Sequence, residues 1–171
     1  MSTRHTVVET TLGPITVVAH GEAVTGLYFD DHVRRPPESS FGPGVPAEED
    51  PTLVIAAEQL TEYLAGRRRA FRLTLDPDGG TFERSVWAII AEIPYGATTT
   101  YGDIAERLGN RTLAQRVGQA VGANPLSIVV PCHRVVGSTG SLTGYAGGLA
   151  RKRRLLDLEQ PAATAGAGRL F

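Results

Sequence analysis

The chain of 171 residues carries one cysteine, Cys132, set in the run Pro131-Cys132-His133-Arg134-Val135-Val136. A thiol reacts as its thiolate, and neighbouring cations favour that form. Without such neighbours a lone cysteine is ordinarily a small buried hydrophobe. Here the apolar stretch Ile128-Val129-Val130 reads as a strand that delivers the thiol to a dry wall, with His133 and Arg134 as the nearby cations. Successive side chains of a strand point to opposite faces, so His133 needs a turn or an intervening water to take the thiol proton. The remaining histidines, His5, His20 and His32, all lie in the first third of the chain. A cysteine hydrolase that draws its histidine from far along the sequence therefore has no partner in the same half. One cysteine also rules out an intrachain disulfide framework and a multi-cysteine zinc site, and no metal or cofactor is expected.

The elements that must position this thiol are legible as patterns. Val7-Val8, residues 15–19 and residues 24–29 are short runs rich in β-branched and aromatic side chains, separated by Gly13-Pro14 and His20-Gly21-Glu22. They predict an antiparallel meander. Prolines 36, 37, 43, 46 and 51 make residues 34–51 a long flexible loop. Asp50-Pro51 predicts a helix N-cap followed by proline at the first helical position, with Leu53, Ala56, Ala57, Leu60 and Leu64 on one face. Arg67, Arg68 and Arg69 read as a solvated turn after that helix, and Phe71, Leu73 and Leu75 alternate as a strand. Asp76-Pro77-Asp78-Gly79-Gly80 then breaks the chain into an N-terminal α/β domain, 1–77, and a C-terminal domain, 78–159. Beyond the break Phe82, Val86, Ile89, Ile90 and Ile93 form a helical stripe, and Thr100-x-x-Asp103 is a capping signal for a second helix closed by Gly109-Asn110. A third helix over residues 112–122 completes a helix-turn-helix outline, which is also an ordinary way for helices to pack. The fold class is α/β (α+β): a small antiparallel sheet followed by a mainly helical half. Residues 160–171 carry little pattern and read as a flexible tail.

The cysteine motif through Gly137, with Asn124-Pro125 ahead and Gly144-Tyr145-Ala146-Gly147-Gly148-Leu149 behind, resembles the methylated-DNA–protein-cysteine methyltransferase (O6-alkylguanine-DNA alkyltransferase) family. Phe82-x-x-x-Val86-Trp87, Ile93-Pro94-Tyr95-Gly96 and Thr100-Tyr101-Gly102-Asp103-Ile104-Ala105 resemble its helix-turn-helix half. Thr11-Leu12-Gly13-Pro14-Ile15 resembles its less specific N-terminal half, and the likeness runs to about Glu159. The resemblance implies direct reversal of O6-alkylguanine damage, and by extension O4-alkylthymine damage, in double-stranded DNA approached through the minor groove. The damaged base is flipped out and its alkyl group passes to Cys132, once per molecule. His133 would take the thiol proton through a water, Glu159 would orient His133, and Asn124 would brace the segment. Tyr101 would rotate the flipped nucleotide's phosphate and hydrogen-bond the base. Tyr145 would stack on the guanine, while backbone groups at Val135, Ala146 and Gly147 would read its edge. Gly102, Asn110, Gln115, Arg116 and Ser138 would face DNA.

Two positions depart from the family pattern. Gln115 stands where an arginine often fills the gap left by the flipped base; Arg116 is one residue on, about 100° around the helix, and should point elsewhere, at a phosphate. Ala146 stands where some members have a serine, leaving only a backbone N–H for the guanine oxygen. Arg151, Lys152, Arg153 and Arg154 read as a solvated helix face, with phosphate contact as the alternative.

With 17 basic against 18 acidic residues, whole-body attraction to DNA is excluded, and binding must rest on a local face. Residues 1–20 carry no secretory pattern, and no apolar run approaches the roughly twenty residues that span a bilayer. A cytoplasmic monomer with no membrane partner is expected, with clustering on DNA left open. The alternatives are a non-catalytic alkylated-base-binding protein and a helix-turn-helix transcription regulator.

Overall fold

The structure, a computed structural model, describes residues 2–160. Three strands, β1 (Thr3–Thr10), β2 (Gly13–His20) and β3 (Ala23–Phe29), form the expected antiparallel meander in the order β1-β2-β3. Val8 pairs with Ile15 and Val17 with Leu27, and the register shifts between Val18 and Ala19. Helix α1 (Pro51–Leu64) packs on this sheet. Its N-cap is Asp50, whose carboxylate accepts from the backbone N–H of Thr52 and Leu53 and also from Arg4 at 2.7 and 3.1 Å. A cap of this kind contributes about 1 kcal/mol, and the arginine ties the helix start to β1.

Residues 34–51 differ from the expected free loop. They contain two short 3-10 turns, Glu38–Phe41 and Ala47–Glu49, and Phe41 is buried. Backbone bonds from His5 to Pro43 and from Val45 to His5 stitch the segment along β1. The prolines remove donors from regular structure, but the edge strand supplies partners for the groups that are left. Nor do residues 71–75 form a strand. A single bridge joins Leu75 to Val24, while Phe71, Leu73 and Leu75 are half-buried against the core. Their alternation serves packing, because β3 offers them only Val24, whose N–H and C=O take up Thr74 and Asp76.

After the turn at residues 76–80, α2 (Thr81–Ala91) is capped by Glu83 Oε1, which accepts from the Gly80 N–H. Strand β4 (Thr99–Thr100) leads into α3 (Tyr101–Arg107), whose N-cap Thr100 accepts from Asp103 N–H. A 3-10 turn capped by Asn110 enters α4 (Ala114–Gly122). Helices α2 and α3 pack against α4, and Trp87 Nε1 donates to Ala120 O at 2.8 Å, fixing α2 to α4. Strand β5 (Val135–Val136) pairs in parallel with β4, and α5 (Leu149–Leu158) follows the glycine loop.

One apolar core joins the two halves. Ile15, Leu27, Leu53 and Leu60 from the first half share a cluster with Ile90, Ile104, Val117 and Leu155 from the second. Leu27 N–H donates to Pro125 O at 2.8 Å, so the sheet grips the segment that carries the cysteine. Of the tail expected at 160–171, residues 161–171 lie outside the described residues.

Candidate active site

The approach to Cys132 is not a strand. Residues 124–134 wind through successive turns: Val130 N–H bonds Leu126 O, Cys132 N–H bonds Val130 O, and Arg134 N–H bonds Pro131 O. Cys132–Arg134 is a 3-10 turn. Asn124 dictates this path. Its Oδ1 accepts from Leu126 N–H at 3.0 Å and its Nδ2 donates to Val130 O at 2.9 Å, both buried. Ile128 is held at φ 75, a strained left-handed conformation for a β-branched residue. Those side-chain bonds override the β propensity of Ile128-Val129-Val130. The turn also removes the objection to adjacent Cys132 and His133, which no longer alternate across a strand.

Behind Cys132 lies a closed polar network. His133 Nε2 sits 2.9 Å from Glu159 Oε2. Arg134 donates to the same carboxylate from Nε at 2.8 Å and Nη2 at 2.7 Å, and from Nη1 to Ile93 O. The Tyr63 hydroxyl donates to Glu159 Oε2 as well. Burial opposes ionisation of Glu159, yet the hydrogen bonds from His133, Arg134 and Tyr63 bring its pKa down to about 2. An ionised Glu159 requires His133 Nε2 to be the donor, which leaves Nδ1 as the lone-pair nitrogen. Nδ1 is buried and has no partner among the described residues. Burial lowers the His133 pKa, with Glu159 opposing, so the resting imidazole is neutral.

Burial pushes the Cys132 thiol up, partly offset by Asn124 and by the charge of Lys152. The resting group is therefore a thiol, contrary to the expectation that flanking cations hold a thiolate. Arg134 is spent on Glu159, and the cation that faces the sulfur is Lys152. Nor do Arg151 and Lys152 belong to a solvated helix face. Lys152 is fully buried, and its Nζ donates to Val135 O, Thr143 O and Gly144 O at 2.7, 2.8 and 3.2 Å. Arg151 bonds Leu12 O, Gly147 O and Asp31 and lies over the Phe29 ring. Both side chains satisfy backbone carbonyls that the glycine loop leaves without partners.

In front of Cys132 is a cavity of about 660 Å³. Tyr101, Gln115, Cys132, Tyr145 and Ala146 line it, as do Val33 and Arg34 from the first half. Thr143 Oγ1 donates to the Tyr101 hydroxyl at 3.0 Å, leaving the phenolic proton of Tyr101 for another acceptor. Val135 and Gly147 do not line the cavity. Val135 O is bound by Lys152, and Gly147 presses on Phe29, where an added Cβ would stand 2.5 Å from the ring. Arg116 points away from the cavity, as helix geometry requires, but to the Phe82 ring at 4.0 Å. Gly102 lies under Arg111, and Ser138 is exposed on the loop after β5.

Residues 81–161 match the family described as 6-O-methylguanine DNA methyltransferase, DNA binding domain, and residues 3–77 match the ribonuclease-like domain of the same methyltransferases. The chain belongs to the 6-O-methylguanine DNA methyltransferase family. It is 40% identical over 158 residues to the methylated-DNA–protein-cysteine methyltransferase of Mycobacterium tuberculosis, covering 92% of this chain and 93% of that one. The inducible methylated-DNA–protein-cysteine methyltransferase of Bacillus subtilis is 42% identical over 146 residues, 81% of this chain and 82% of its own. The crystal structure of Mycobacterium tuberculosis OGT in complex with DNA superposes with a TM-score of 0.82 at 39% identity, over 91% of this chain and 92% of that chain. A binding protein without chemistry and a transcription regulator are not favoured by relatives named as methyltransferases. Sequence reading missed Tyr63, Arg134's grip on Glu159, and Lys152 as a functional neighbour of the thiol. A tyrosine on the apolar stripe of α1 signals only core.

Proposed function

We propose that this protein repairs O6-alkylguanine in DNA by direct reversal, leaving the alkyl group on Cys132. The observation that carries the reading is a buried thiol at the wall of an apolar cavity, backed by a histidine whose free nitrogen is a lone pair. The flipped guanine enters the cavity beside Tyr101 and Tyr145. The thiol proton passes through a water to His133 Nδ1, and Glu159 stabilises the imidazolium that forms. The S–C bond then forms as the bond between carbon and O6 breaks, and the electron pair left on guanine takes a proton from the Tyr101 hydroxyl. The His133 imidazolium and the Tyr101 phenolate left by these two transfers return to their resting forms by exchange with solvent, so that overall one proton passes from thiol to base and the step balances. The resulting thioether holds its alkyl group through an unactivated C–S bond from which thiolate is a poor leaving group, so each molecule reacts once.

In this reading residues 78–159 bind DNA and react, while residues 1–77 brace them. The α3–α4 unit docks in the minor groove, with Gly102, Asn110, Gln115, Arg116 and Ser138 on the DNA side. O4-alkylthymine is a second substrate. The protein acts as a cytoplasmic monomer; among the described residues no helix is long and apolar enough to cross a membrane. Incubation with a duplex containing O6-methylguanine, followed by intact mass and peptide mapping, should place one methyl group on Cys132. A chain that gains none, or a Cys132→Ala variant that still clears the lesion, overturns the reading.

A further inference from the structure

Drawing a base out of a duplex leaves a gap in the stack and breaks the base's pairing, a cost that a side chain inserted from the protein can offset. The side chain best suited is long, planar and cationic, because it stacks on bases and complements phosphates at once. Among the residues lining the cavity in front of Cys132, Arg34 alone carries a formal charge. Gln115, at the start of α4, is shorter and uncharged, and Arg116 is committed to the Phe82 ring.

Arg34 comes from the first half, just after β3. It is exposed, and it enters no hydrogen bond or ion pair among the described residues. Its backbone is held at φ 61, a left-handed conformation that side-chain-bearing residues adopt only where their surroundings impose it. The same residue lines the adjoining groove with Arg116 and Gln119. It therefore overlooks α4 from both sides, between the base cavity and the α2–α4 groove.

We propose that Arg34, a residue of the N-terminal half, fills the stack vacated by the flipped guanine, in place of a side chain from α4. The proposal rests on the repair reading and makes the first half a direct DNA contact. Single-turnover methyl transfer, followed on O6-methylguanine in a duplex and in a single-stranded oligonucleotide, tests it, because a single strand has no pair to break and no duplex stack to refill. Arg34→Gly removes the guanidinium and relaxes the left-handed backbone, so its thermal midpoint should equal or exceed that of the parent. It should slow transfer from the duplex about tenfold and from the single strand less than about twofold, tenfold being the kinetic equivalent of about 1.4 kcal/mol. Gln115→Ala should slow the duplex reaction less than Arg34→Gly does. Equal losses on both substrates, no loss in Arg34→Gly, or a larger duplex-specific loss in Gln115→Ala overturns the assignment. A parent protein that leaves both substrates methylated overturns the repair reading, and this assignment with it.

Discussion

The two sides of Cys132 are built on opposite principles. Behind it, Tyr63, His133, Arg134 and Glu159 form a dry network in which Glu159 Oε2 accepts from Tyr63, His133 and Arg134 and Oε1 accepts from Arg134. In front, the cavity is apolar: Thr143 and Tyr101 bond each other on its wall, and the Tyr145 hydroxyl beside them is buried without a partner among the described residues. The rear is organised before any substrate arrives, so no reorganisation is needed there when the thiol loses its proton. The front is left to be completed by a base that brings its own donors and acceptors. Among the described residues His133 Nδ1 is the one unmet atom of the rear network, and it is the atom that takes the thiol proton in the proposed reaction.

This contrast is broken most severely at Glu159. Glu159→Ala leaves the Arg134 guanidinium buried without its counter-charge, which should destabilise the fold by about 3–5 kcal/mol. Urea unfolding of the two proteins checks the value. An unchanged midpoint would mean that the rear network is not held by its carboxylate.

Acid should dismantle the same side. Glu159 has its pKa held down to about 2 against an ordinary 4.5, so its contribution is complete above about pH 4.5 and is lost as pH falls towards 2. The gap corresponds to roughly 3 kcal/mol. His32, packed between Tyr28 and Phe29, has its pKa lowered by burial to about 4 from 6.5. The unfolded chain binds that proton first, so stability also falls between about pH 6.5 and 4, before Glu159 begins to titrate strongly. Thermal midpoints across pH 2–7 should show both losses, and Glu159→Gln should abolish only the lower one.

Much of the fold was legible because its determinants are local. The meander follows from β-branched runs and turn residues, and α1 follows from Asp50-Pro51. The errors around the cysteine share a physical cause: a polar side chain outvoted local propensity. Asn124 turned Ile128-Val129-Val130 from strand into turn, and the carbonyls of the glycine loop drew Lys152 inward. The site divides in the same way. Cys132 was readable from its own neighbours, whereas Glu159 has no local signal and was supplied by family resemblance alone. Tyr63 lies 96 residues from its partner, and no local pattern encodes such a contact.

Tyr63 and Tyr145 permit the same substitution on the two sides. Tyr63→Phe deletes a donor to a buried carboxylate and should cost about 1.5–3 kcal/mol of stability. It should also shift the pH–rate profile of methyl transfer, because Glu159, relieved of one donor, stabilises the His133 imidazolium more strongly and raises the histidine pKa. A purely structural tyrosine would lower the midpoint and leave the profile in place.

Tyr145→Phe removes a hydroxyl that has no partner among the described residues. The unfolding free energy should stay within about 0.5 kcal/mol of the parent, or rise, because an unsatisfied buried group is being deleted. Methyl transfer should nonetheless slow, since that hydroxyl lies on the cavity wall where the proposed base enters. Denaturation and single-turnover kinetics on one preparation separate the two effects. A Tyr145→Phe protein as destabilised as Tyr63→Phe would show that the front is as fully bonded in the free protein as the rear, and the asymmetry around Cys132 would fall.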